Sequence, residues 1–127
     1  MDAFGHVNNI VYFRYFESAR VAYFREIGYL TVMEETGLGP ILASTECRFR
    51  VPLTYPDTVL IGAGVPEVGD NRFVMKYRVV SVAHGKVAAD GEGLIVSYDY
   101  RQNRKAPVPD AVRERIATLE RTVLPGP

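Results

Sequence analysis

Close to the start of the chain, the run Asp2-Ala3-Phe4-Gly5-His6-Val7-Asn8-Asn9 passes directly into an apolar stretch with helical spacing. It brings together a carboxylate, a turn glycine and the beginning of a helix. The first N–H groups of a helix have no intrahelical partner, and the helix dipole favours negative charge there. A carbonyl oxygen resting on those amides is stabilised as charge develops on it, which is what hydrolysis of an activated ester requires. Gly5 lets the backbone approach a ligand closely, and Asp2 has the chemistry of a nucleophile or of a general base toward water. His6 is the competing base. Histidines in that role need an orienting partner, and none stands at a meaningful spacing, so loop packing or substrate contact is its expected part. Asn8 is read either as a helix cap or as a polar group of the pocket.

Other chemistries find little support. The lone cysteine, Cys47, rules out an internal disulfide, and two histidines beside it argue against a metal site. Cys47 falls in an alternating apolar pattern and reads as core filler. A Ser-His-Asp arrangement has no supporting spacing. With 15 basic and 15 acidic residues, no general attraction to nucleic acid or to a membrane surface is expected. Anionic ligands must then be met by local basic clusters. Neither a signal peptide nor a transmembrane run is present, so a cytoplasmic location is expected. At 127 residues the chain is expected to form one domain spanning 1–127.

The elements that position the motif follow from periodicity. Residues 9–27 read as one helix stopped by Gly28. Tyr12, Tyr15, Phe16, Ala19, Tyr23 and Ile27 share one face, while Ile10, Phe13, Val21 and Phe24 lie outside it, so burial on several sides is expected. Glu17 is spaced to pair with Arg14 or Arg20. Residues 30–40 read as a connection, with Gly37, Gly39 and Pro40 as breakers. From Ile41 the period becomes two, predicting a half-buried strand with Ile41, Ala43, Thr45, Cys47, Phe49 and Val51 on one side. Further strands are predicted at about 58–67, from Arg72 and from Val87 to Tyr100, paired antiparallel across short turns. Gly91 and Gly93 on one strand face suggest a bend or close approach of the helix. A polar helix over roughly 109–123 closes the chain.

Taken whole, the run D-A-F-G-H-V-N-N-x-x-Y-x-x-Y-F-E-x-A-R resembles the acyl-CoA thioesterases of the hotdog fold, in the 4-hydroxybenzoyl-CoA thioesterase-like branch. The long helix, Phe49-x-x-Pro52-x-x-Tyr55-x-Asp57 and the closing Ser97-Tyr98-Asp99-Tyr100 extend the likeness over nearly the whole chain. The resemblance implies an α+β fold in which a curved antiparallel sheet wraps a long central helix. It also implies a strand ahead of the Asp motif; here the sequence opens one residue before that Asp, so either Met1 is an internal methionine or that strand is absent. By the same resemblance Asp2 attacks the thioester or activates water, the Asn9 backbone amide serves as oxyanion donor and Gly5 shapes the loop. His6, Asn8 and Tyr12 fall on the substrate, and Arg101, Arg104 and Lys105 after the last strand are better placed for coenzyme A phosphates than Arg48 and Arg50. The substrate implied is a small-molecule acyl-CoA, with no cofactor and no metal. A homodimer is implied, with further pairing to a homotetramer, because a lone sheet leaves an edge strand open. Two competing readings share the fold: an acyl-CoA-binding module without catalysis, and an enoyl-thioester hydratase or dehydratase, which calls for an Asp/His pair in a different motif.

Overall fold

The computed structural model describes residues 9–54 and 56–122. In chain order the elements are α1 (Asn9–Glu26), α2 (Tyr29–Thr36), β1 (Leu38–Phe49), β2 (Val59–Gly64), β3 (Arg72–Ser81), β4 (Lys86–Asp99), β5 (Arg104–Lys105) and α3 (Asp110–Thr122). The strands form a curved antiparallel sheet in the order β1-β4-β3-β2, with β5 paired to the end of β4. The sheet is not closed, and among the described residues β1 and β2 are its edges.

The expected stripe of α1 faces the sheet. Tyr12, Phe16, Tyr23 and Ile27 are buried, with Tyr15 and Ala19 packed against the core. They meet Phe73, Met75, Tyr77 and Val79, which alternate along β3 with residues of the opposite face. Gly91 fulfils the expected close approach of the helix, whereas Gly93 makes room for a side chain of the neighbouring strand β3. A β-carbon on Gly91 would stand 2.6 Å from Phe16, and one on Gly93 would stand 2.6 Å from the Tyr77 hydroxyl. The remainder of α1 is less covered than its composition suggested: Ile10, Phe13 and Val21 are exposed in the single chain.

Three sequence expectations are corrected. The connection expected at 30–40 contains α2, because Gly28 and Gly37 both adopt left-handed backbone and bracket an eight-residue helix. The Gly37 N–H closes it on Met33 O, while Tyr29 and Val32 are buried beneath. The breakers mark the end of a helix rather than a loop. Secondly, β1 is not half-buried beyond Ile41. Its register with β4 shifts between Leu42 and Ser44, so Leu42, not Ala43, shares the helix-side face with Thr45, Cys47 and Phe49. From Leu42 to Phe49 only Cys47 escapes full exposure, which is the mark of an edge strand with an unpaired side. Thirdly, the second strand ends at Gly64, short of the expected 67.

α3 runs close to its expected bounds. Val112 and Ile116 face the core, and two arginines fasten the helix through carbonyls. Arg113 donates to the oxygens of Val68, Gly69 and Asp70, and Arg115 donates to that of Ile27.

Candidate active site

α1 begins at Asn9, which is exposed, and its first turn carries no acidic side chain. One turn on, Tyr12 is buried edge-to-face between Tyr15 at 6.2 Å and Phe49 at 5.1 Å. Burial raises the Tyr12 phenol above its ordinary range, a rise tempered by hydrogen bonding at the Leu53 backbone. Buried Leu53 completes this wall, and the chain leading to it is held by Ala88 O, which accepts from the N–H groups of Arg50 and Val51. The helix start is therefore seated over the far end of β1. Asp2, Gly5, His6 and Asn8 lie outside the described residues.

The basic turn stands at the other end of the sheet. The Asp99 carboxylate accepts from the backbone N–H groups of Arg101 and Gln102, and Asn103 takes the left-handed conformation that completes the turn. Arg101 is not a free cation, because its guanidinium donates to the carbonyls of Glu34 and Glu35 and covers the end of α2. Arg104 and Lys105 are exposed in β5, where Arg104 pairs with Asp99 and Lys105 with Tyr98. β1 pairs Leu38 with Asp99 at this end and runs to Phe49 beside Tyr12 at the other. At about 3.4 Å per residue the strand separates the two ends by roughly 35 Å. A single chain cannot bring the Asn9 amide and the Arg104–Lys105 pair to one short ligand.

The remaining candidates are sorted by their partners. Arg48 and Arg50 are committed to Asp90, at 3.6 and 3.1 Å, and Arg48 also to Glu46 at 3.3 Å. These arginines hold the Asp90 carboxyl below the usual range, Arg50 foremost. Cys47 is half-buried and burial pushes its thiol up, in keeping with an inert side chain. The pairing expected for Glu17 is not formed. Glu17 is exposed, and among the described residues Arg20 donates instead to the Tyr77 hydroxyl at 3.0 Å, with its guanidinium 5.9 Å from the ring centre. Sequence reasoning offered Arg20 only as a partner for Glu17. The signal was its place at the margin of the apolar stripe, four residues after Phe16 and three before Tyr23.

Among the described residues no group of His, Cys, Asp or Glu is arranged to hold a metal ion, and no helix is long and apolar enough to cross a membrane. A hollow of about 620 Å³ lined by Glu67, Arg72, Val74, Lys76, Glu92 and Leu94 lies on the sheet face turned away from α1.

Residues 1–116 match the Thioesterase-like superfamily, and the chain belongs to that family. A thioesterase from Thermus thermophilus, described in complex with coenzyme A and Zn, superposes with a TM-score of 0.82 at 34% identity, covering 98% of this chain and 88% of that one. An Aquifex aeolicus (strain VF5) relative, provisionally described as an esterase, is 33% identical over 103 residues, which is 76% of this chain and 80% of its own length. The Synechocystis 1,4-dihydroxy-2-naphthoyl-CoA thioesterase shares the fold, with a TM-score of 0.80 at 16% identity over 94% of this chain and 88% of that one. These likenesses establish the hotdog fold and support thioester hydrolysis as the general activity.

Proposed function

We propose that the chain hydrolyses acyl-CoA thioesters to the free acid and coenzyme A, as a single domain acting within a homodimer in the cytoplasm. The observation that carries this reading is the exposed start of α1 at Asn9, beside the Tyr12–Phe49–Leu53 wall and directly after the Asp2–Asn8 run. The thioester oxygen rests on the Asn9 amide, whose donation strengthens as the tetrahedral intermediate forms. Asp2 attacks the carbonyl carbon, giving a mixed anhydride that water then hydrolyses, or takes a proton from a water that attacks in its place; the thiolate of coenzyme A departs in either route. Gly5 gives the loop its close approach, and His6, Asn8 and Tyr12 border the substrate. The coenzyme A complex of the Thermus thermophilus relative supports the choice of thioester.

The dimer follows from the free edge of β1. A two-fold axis through the exposed Leu42–Phe49 segment pairs the edge with its copy antiparallel. That sets the Leu38 end of one chain against the Phe49 end of the other, and with it the copy's Arg104 and Lys105 on the side of the first chain's helix start. Phosphates of coenzyme A then meet cations that one chain alone holds too far away.

Release of free thiol from a panel of acyl-CoAs tests the reading. Asp2→Asn is expected to lower kcat by at least about 10²-fold. Asn9→Pro removes the amide at a position where a helix accepts proline, and a loss of about 10²–10³-fold is expected. Tight binding of coenzyme A esters by the wild type without turnover would make the chain a binding module instead.

A further inference from the structure

The flank of α1 above β1 carries a run of apolar side chains that ends on a cation. Phe49 packs on Tyr12, Phe13 packs on Phe16 at 6.1 Å, and Phe16 stacks on Tyr77 at 4.6 Å. Leu42 lies beside Gly93 and next to the Tyr77 hydroxyl. Phe13, Leu42 and Phe49 are exposed, at 37, 38 and 48%, although each adjoins the core. Arg20 stands at the far end, half-buried, donating to the Tyr77 hydroxyl.

The electrostatics at that end are one-sided. A guanidinium has five N–H donors, and among the described residues no carboxylate pairs with Arg20. The Tyr77 oxygen accepts from Arg20, so its own O–H remains free to donate. A half-buried cation facing a neutral phenol and a ring is under-compensated, and planar N–H donors suit a carboxylate. Phe16 and Arg20 lie seven and eleven residues beyond Asn9, about 10–16 Å along the helix axis. An extended chain gains about 1.2 Å per bond, so that span corresponds to about eight to thirteen carbons.

We propose that Arg20, with the Tyr77 hydroxyl, selects medium-chain acyl thioesters bearing a carboxylate at the far end of the acyl group. The inference rests on the thioesterase reading above and names its substrate class. The thioester sits at the helix start, the methylenes lie along Phe49, Phe13 and Leu42, and the terminal carboxylate accepts from Arg20 and Tyr77.

The test compares kcat/KM for straight-chain acyl-CoAs of graded length with that for the same chains ending in a carboxylate. In the wild type the carboxylate-ended substrates of about eight to thirteen carbons are expected to exceed their methyl-ended partners by about tenfold or more. Arg20→Met is expected to bring that ratio to about one, Arg20→Lys to preserve part of it, and Tyr77→Phe, which keeps the stacked ring, to reduce it by a smaller factor. Because the readout is a ratio within one variant, a general loss of folded enzyme does not imitate the effect; should Arg20→Met not fold, the Lys and Phe variants decide. A wild-type ratio near one, or a ratio untouched by these substitutions, overturns the assignment while leaving the thioesterase reading in place. Absence of thiol release from every coenzyme A ester overturns that reading, and this one with it.

Discussion

Phe16 occupies the space that Gly91 leaves open: a β-carbon at position 91 would stand 2.6 Å from Phe16 Cε2 and would also strike the Glu46 carbonyl of the neighbouring strand. This is how a long helix comes to lie low on the sheet and stack its ring on Tyr77.

Gly91→Ala is accordingly expected to be costly. The backbone of β1 cannot yield as a flexible side chain would, so overpacking of about 1–3 kcal/mol is expected. Urea unfolding of the variant checks it. A midpoint equal to that of the wild type contradicts the close approach.

Asp57 clamps the turn between β3 and β4. Its carboxylate accepts from the Ser81 hydroxyl and from the Ala83 N–H, and the Ser81 oxygen accepts in turn from the His84 N–H. Foremost the Ser81 hydroxyl, then the Ala83 amide, hold the Asp57 carboxyl below its ordinary value of 3.8. A carboxylate depressed in the folded state stabilises fully above its unfolded pKa and ceases to do so as pH falls through the folded value. The midpoint of thermal unfolding should drop between about pH 5 and the depressed value by more in the wild type than in Asp57→Asn, measured as the slope of Tm with pH. Parallel slopes would refute the clamp.

The basic turn divides by role. Arg101→Ala should lower stability by about 0.5–1 kcal/mol, because the carbonyls at the end of α2 lose their donor. Paired substitution of Arg104 and Lys105 by Ala should leave the melting temperature in place, raise KM for coenzyme A esters and flatten its rise with ionic strength. Melting curves and KM at two salt concentrations separate the two effects. A stability loss in the Arg104/Lys105 variant, with KM unmoved, runs against the assignment.

The free edge of β1 gives a fourth expectation. Phe49→Asp places a charge at the end of the exposed segment, where a copy of the chain would pair, and should shift the protein from dimer toward monomer by about tenfold or more in dissociation constant. Sedimentation equilibrium reads this directly. A wild type that sediments as a monomer removes the dimer altogether.

Much of the fold was legible in the sequence because the strong periodicities survive in three dimensions. The stripe of α1, the alternation of β3 and the approach at Gly91 were each visible as spacing. What escaped depends on geometry that spacing does not encode. The shift at Leu42–Ser44 puts Leu42, rather than Ile41 or Ala43, on the helix side of β1 with Thr45, Cys47 and Phe49, and no local residue type announces it. α2 was hidden because its closing glycines look like those of a loop, and β5 because two residues carry no period. For the site, the Asp2–Asn9 motif and the basic turn are proposals that rest on residue types. The commitment of Arg101 to α2, and of Arg20 to Tyr77, arises from partners 66 and 57 positions away.

The span of β1 has one more consequence. If the head and the tail of a ligand are read, as proposed, by cations and amides about 35 Å apart on any one chain, each pocket of the proposed two-fold pair would be a hybrid of both. A chain damaged at Asp2 and another weakened at Arg104 and Lys105, each impaired alone, should then restore one intact pocket out of two on mixing, while leaving the other doubly broken.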